Sequence, residues 1–314
     1  MFPGQGSQSI GMGKELYDSF DVAKKVFQEV DDALNQKLST LMFEGDAAEL
    51  GLTRNTQPAL MAVSIAAFRV LQKEVNFPFF QHNFTGHSLG EYAAHAAIGT
   101  FSLADTAKLL RIRGEAMQNA VPVGIGAMAA LIGSGGKAKA AELAASVSTS
   151  TCFCSVANDN SQEQVVISGH AEAIDKAIEA ANNFDFKRAV RLQVSAPFHT
   201  KLMQPAADAM KQALADVKAS ESINANLFAN VTAELVATPE SAKDLLVRQV
   251  TGEVRWCETM QNLIAKGSTK FVEIGAGSVL CGLMRKIDST IPTFNVGSPK
   301  DIDSFINEVV NVSN

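Results

Sequence analysis

The sequence predicts an α/β protein: a large unit, residues 1–124 and 191–314, into which a smaller unit, 125–190, is inserted. Three observations point there. Helix-type and strand-type segments alternate along most of the 314 residues. Between 125 and 190 the order becomes strand-helix-strand-strand-helix-strand, the ferredoxin-like arrangement. Gly86-His87-Ser88-Leu89-Gly90 fits G-x-S-x-G, the mark of a sharp strand-to-helix turn that carries a serine.

Taken in order, apolar residues at three and four spacing predict helices over 14–34 and 57–75. QHNFTG at 81–86 reads as a strand ending at the serine turn. Helices follow over 89–98 and 102–119, the second with Ser102 as its N-cap. Val121-Pro122-Val123-Gly124 breaks the pattern and marks the edge of the small unit. Inside that unit, IGAMAALI at 125–132 predicts a strand, 137–145 a helix, 151–157 and 164–168 strands, 171–181 a helix and 186–192 a strand. The loop V-S-A-P-F-H-T at 194–200 then leads into a helix over 200–217. Helices at 241–250 and 257–265, a strand at 270–274 and a helix at 278–286 complete the large unit. Their alternation implies a mostly parallel sheet covered by helices.

Hydrophobic residues make up 46% of the chain, enough for a large core. The net charge is −6 and no Lys/Arg block occurs, which argues against nucleic-acid binding. The opening MFPGQGSQ lacks the basic-then-apolar order of a signal peptide. No window reaches the roughly 18 apolar residues of a membrane span. Cys152, Cys154, Cys257 and Cys281 form no C-x-x-C, and Cys152-Phe153-Cys154 alternates as a buried strand would. Free structural thiols in a reducing cytoplasm are expected, and no metal site is indicated.

A reactive Ser88 needs a base, oxyanion donors and a substrate grip. The plainer reading is a turn serine that caps a helix. Among His82, His87, His95, His170 and His199, the last is the best placed as base, in an apolar loop where the chain re-enters the large unit. His87 is adjacent to Ser88, and neighbouring side chains diverge at a tight turn. Asp105, Asp159, Asp175 and Asp185 lie between the serine and His199, none in an evident strand-end loop of the large unit. The imidazole is therefore expected to be oriented by a neutral group such as a backbone carbonyl. Leu89 N–H, just after the serine, is the first expected oxyanion donor. Gly4-x-Gly6-x-x-Ser9 misses the third glycine of a dinucleotide fingerprint, and its bare N–H groups can serve as the second donor. Arg111 and Arg113 share one helix, and periodicity does not choose which faces a carboxylate.

Eight segments appear in order: F-P-G-Q-G-S-Q (2–8), G-H-S-L-G-E-Y (86–92), I-R-G-E-A-M-Q (112–118), G-A-M-A-A-L-I-G (126–133), N-D-N-S (158–161), V-S-A-P-F-H (194–199), L-V-R-Q (246–249) and E-I-G-A-G-S-V-L (273–280). Together they resemble the malonyl-CoA:acyl carrier protein transacylases of bacterial type II fatty acid synthesis. The resemblance implies an α/β-hydrolase-like large domain with a ferredoxin-like insertion. It implies malonyl transfer through a malonyl-serine at Ser88, with His199 as base and Gln5 and Leu89 as backbone oxyanion donors. Arg113 would grip the malonyl carboxylate, and the Gln249 main-chain carbonyl would orient His199. Asn158 and Asn160 would lie near the site. The implied partners are malonyl-CoA and holo acyl carrier protein. No permanently bound cofactor, a CoA thioester substrate, a cytoplasmic setting and a monomer are implied as well. Lys187, Arg188 and Arg191, or Arg285 and Lys286, would offer the basic rim an acidic carrier protein needs. The family also has a short apolar strand before F-P-G-Q-G, whereas here only Met1 precedes Phe2. A serine esterase, a non-catalytic carrier-binding scaffold and a trans-acting polyketide acyltransferase are the alternatives.

Overall fold

The computed structural model describes residues 1–75, 82–194 and 196–310. Gln81 of the expected strand and Ser195 of the expected loop lie outside the described residues. The first part is helical: α1 (Lys14–Ser19), α2 (Asp21–Leu34), α3 (Leu38–Glu44), α4 (Ala47–Gly51) and α5 (Thr53–Glu74). The helix expected over 14–34 is broken at Phe20, whose extended backbone (φ −133°, ψ 118°) ends α1 and starts α2. β1 (Asn83–Phe84) leads to the serine turn, followed by α6 (Leu89–Ala97) and α7 (Leu103–Asn119). Ser102 caps α7 by accepting the Asp105 N–H at 3.0 Å, as expected.

Next come β2 (Gly126–Gly133), α8 (Gly136–Val147), β3 (Cys154–Ser161), β4 (Gln164–His170), α9 (Ala171–Ala180) and β5 (Phe186–Arg191). The four strands form an antiparallel sheet in the order β3-β4-β2-β5. β2 is apolar throughout because both its faces are covered. Ala127, Ala129 and Leu131 pack with residues of α8 and α9, while Met128 and Ala130 join the main core. The strand expected at 151–157 starts three residues later and runs through the polar Asn158-Asp159-Asn160-Ser161. Pairing overrides propensity there: Asp159 N–H donates to Val254 O (3.0 Å) and Val254 N–H to Ala157 O (2.8 Å). All four cysteines are unpaired thiols, with Cys154, Cys257 and Cys281 buried.

The remainder is α10 (Gln204–Asp216), β6 (Asn226–Leu227), α11 (Pro239–Thr251), α12 (Trp256–Ala265), β7 (Phe271–Ile274), α13 (Val279–Ile287), β8 (Thr293–Val296) and α14 (Pro299–Phe305). β6 pairs with β1 and β8 with β7, both in parallel. Met1 and Phe2 join the two pairs. Phe2 N–H donates to Thr85 O and His87 N–H to Phe2 O, each at 3.0 Å. On the other side, the Met1 ammonium donates to Val272 O at 2.7 Å and Ile274 N–H to Met1 O at 2.9 Å. That is the slanted pattern of a parallel ladder. The expected parallel sheet therefore runs β6-β1-(Met1–Phe2)-β7-β8. Met1 and Phe2 supply the seam. A cavity of about 490 Å³ beside the seam is lined by Phe68, Asn83, Phe271 and Phe305 among others; of the five histidines weighed as base it takes only His82, and neither Ser88 nor His199.

Candidate active site

Ser88 sits between β1 and α6 with φ 53° and ψ −109°. A non-glycine residue is strained there and must be held. Asn230 holds it from both sides: its Oδ1 accepts the Ser88 N–H and its Nδ2 donates to Gly86 O, each at 2.8 Å. The N-terminal loop closes over the turn. A Cβ on Gly90 would stand 2.2 Å from Phe2 O, so this approach requires glycine.

His199, also at positive φ (60°), lies in the loop before α10 and is buried. Its Nε2 is 2.8 Å from Ser88 Oγ. Its Nδ1 is 2.8 Å from Gln249 O and 3.2 Å from Gly252 O. Carbonyls only accept, so Nδ1–H is the donor and the Nε2 lone pair faces the serine hydroxyl. The Gln249 carbonyl is available because it belongs to the last turn of α11, which has no following turn to bond. Burial, and then the Arg113 cation, push the imidazole down to about 3. His199 is therefore neutral at neutral pH, with its Nε2 lone pair free to accept a proton.

Arg113 is buried, and it points inward from α7. A Cβ on Gly114 would come 2.6 Å from Thr53 O, so the glycine after the arginine lets α7 lie close on the start of α5. The guanidinium donates from NH1 to Gln57 Oε1 (2.8 Å) and from NH2 to Gln249 Oε1 (2.7 Å) and Ser88 Oγ (3.1 Å). Its carbon is 5.4 Å from the centre of the Tyr92 ring. Arg111 instead donates to Gln36 on α2's side of α7. Tertiary packing thus separates two arginines that periodicity left equal.

Leu89 is the first residue of α6, where backbone N–H groups have no intrahelical acceptor. Gln5 follows the Phe2–Gly4 segment against the turn. It lines a cavity of about 320 Å³ with Leu52, Thr53, Gln118 and Gln193. Asn158 pairs its backbone with Val254, while Asn160 Oδ1 is 2.9 Å from His87 Nε2. His87 thus faces β3 and the Trp256 ring, 5.4 Å away, rather than the serine. His95 lies beside Phe101 and burial pushes it down to about 3; His170 accepts the Phe153 N–H. Residue-type reasoning missed Asn230, Gln57 and Glu91. Only Glu91 left a trace, as the last acidic position of G-H-S-L-G-E.

Among the described residues, no group of three or more His, Cys, Asp or Glu could hold a metal ion. No described helix is long and apolar enough to cross a membrane. The arrangement is a serine poised beside a neutral imidazole and a buried cation, suited to capturing an acyl group that carries a negative charge.

The model of the acyl transferase domain matches residues 1–293. The chain is 43% identical over 303 residues to a malonyl CoA-acyl carrier protein transacylase of Bacillus subtilis (strain 168), covering 96% of this chain and 94% of that one. A crystal structure of acyl-carrier-protein-S-malonyltransferase from Bartonella henselae superposes with a TM-score of 0.93 at 51% identity, covering 98% of this chain and 97% of that chain. A malonyl-transacylase solved in complex with its type II PKS acyl-carrier protein superposes with a TM-score of 0.93 at 36% identity, covering 98% and 97%. With the elbow serine, the neutral histidine and the buried arginine in one place, the chain belongs to the acyl transferase domain family, among the malonyl CoA-acyl carrier protein transacylases.

Proposed function

We propose that this acyltransferase moves a malonyl group from malonyl-CoA to the phosphopantetheine thiol of acyl carrier protein, for fatty acid synthesis, through a malonyl-serine at Ser88. The observation that carries the reading is Arg113 NH2, buried and 3.1 Å from Ser88 Oγ. A cation there meets an acyl group that ends in a carboxylate. It has no use for a neutral ester, which disfavours the esterase reading.

The step follows from the geometry. His199 Nε2 takes the Ser88 hydroxyl proton as Oγ attacks the thioester carbonyl carbon. The oxyanion lies against the N–H groups of Leu89 and Gln5. The C–S bond breaks, and the proton passes from Nε2 to the CoA sulfur. In the second half the carrier thiol gives its proton to His199 and its sulfur attacks the acyl-serine. Ser88 Oγ leaves and recovers the proton. The Gln249 carbonyl keeps Nδ1 protonated throughout. Asn160 acts at a distance, tying β3 to the turn through His87, and Asn158 ties β3 to Val254. CoA enters as the carrier of the substrate, and these steps use only the chain's own groups.

We read residues 1–124 and 191–314 as an α/β-hydrolase-like domain, because the serine follows a parallel strand and precedes a helix. Residues 125–190 read as a ferredoxin-like domain, an assignment supported by the strand order β3-β4-β2-β5. Lys187 and Arg188, exposed on β5, suit an acidic carrier protein. A cytoplasmic setting fits four unpaired thiols, and we read the chain as a monomer. A polyketide carrier protein is the second reading, favoured by the solved type II PKS complex.

The test is intact mass after mixing with malonyl-CoA, without an acceptor. One malonyl adduct is expected, absent in Ser88→Ala and discharged by holo acyl carrier protein. Free CoA accumulating with no adduct would mean a hydrolase instead.

A further inference from the structure

Gln249 is the hub of the site, because its backbone carbonyl faces His199 and its side chain faces Arg113. Its amide must lie one way round. Nε2 is surrounded by acceptors: Glu91 Oε2 at 2.6 Å, Ser88 O at 2.9 Å and Asn230 Oδ1 at 3.4 Å. Oε1 meets the Arg113 donor at 2.7 Å. A flipped amide would set oxygen against three acceptors and an NH2 group against a guanidinium. The shortest of these bonds is accepted by Glu91, which is wholly buried in the first turn of α6. The same Oε2 also accepts the Asn230 N–H at 3.1 Å, and Asn230 holds Ser88. Among the described residues Glu91 Oε1 has no hydrogen-bond partner and Arg113 has no carboxylate in salt-bridge contact.

We propose that Glu91 is a positioning residue for malonyl selectivity: its carboxylate fixes the orientation of the Gln249 amide, which aims Arg113 at the malonyl carboxylate. It rests on Arg113 being the group that grips that carboxylate. Glu91 touches no reacting atom and acts through Gln249. Its charged and titratable neighbours are Arg113 from α7 and Tyr92 from its own helix, with the neutral Gln249 and Asn230 packed against it. Burial raises the carboxyl to about 7, so its charge changes in an accessible pH range.

The readout is the ratio of kcat/KM for malonyl-CoA to that for acetyl-CoA, in wild type, Glu91→Gln and Arg113→Ala. Acetyl offers no carboxylate, so loss of the serine-histidine pair or of the fold lowers both substrates and leaves the ratio. Glu91→Gln is expected to cut the ratio by at least tenfold, malonyl transfer falling much further than acetyl transfer. An unchanged ratio, or equal losses on both substrates, overturns the role. In the unmodified enzyme, the ratio is expected to rise as pH increases through about 7, where the carboxylate forms. The CoA phosphates and His199 affect both substrates alike and cancel. A ratio flat from pH 5.5 to 8.5 overturns the role even if Glu91→Gln fails to fold. Arg113→Ala separates the two layers. If it leaves the ratio intact, the reading of Arg113 fails; if it collapses the ratio and Glu91→Gln does not, only the role of Glu91 fails.

Discussion

His199 carries its proton on one nitrogen because two carbonyls face Nδ1, and it stays neutral because burial and Arg113 disfavour the imidazolium. The consequence is kinetic. With acetyl-CoA, which does not engage Arg113, the acid limb of serine acylation is expected well below the 6.5 of a free histidine. Stopped-flow acylation against pH measures it, and a limb at 6.5 would contradict the buried neutral base. Ser88 and His199 were legible as candidates because nucleophile and base chemistry needs those residue types, and few positions offer them. Asn230 was not legible. An asparagine in A-N-V-T has no chemistry of its own, and its value lies in reaching Ser88 N–H and Gly86 O at once.

Elements carry the site by their ends. α6 begins at Leu89, α11 ends near Gln249, and the N-terminal loop lies over the turn between β1 and α6. Gly90 sets how close that loop comes. Gly90→Ala would push a methyl against Phe2 O and is expected to cost about 1–3 kcal/mol, read by denaturant unfolding. Transfer activity should fall further than stability alone explains, because Gln5 moves with the loop. A fully stable, fully active variant would show the approach to be unimportant. Long periodic helices such as α7 were legible, boundaries included. The short β6, β8, α3 and α4 were not, since two to seven residues carry too little periodicity to register. β3 was misplaced by three residues because its buried asparagines are held by pairing to Val254 and β4, not by propensity.

At the scale of the whole molecule, Phe2 is the keystone of the parallel sheet. It is wholly buried between Phe68 and Phe84, with ring centroids 6.1 and 6.4 Å away, and its backbone ties β1 to the Met1–β7 side. Phe2→Ala is expected to cost about 3–5 kcal/mol by denaturant melt, with transfer falling in parallel as the loop loosens over Ser88. A loss below 1 kcal/mol would mean the seam bears little. The sequence by itself determined the α/β class, the order of the main elements and the serine turn, because those follow from local periodicity and steric demands of G-x-S-x-G. It also determined that a base and a cation were on hand, because residue type is chemistry. Only the tertiary structure decided which of two arginines, equal by periodicity, turns inward, that the Gln57 and Gln249 side chains hold it, and that Glu91 and Asn230 bind the turn to α11. Those contacts join residues 25 to 161 positions apart, and only the packed core brings such distant positions within hydrogen-bond reach.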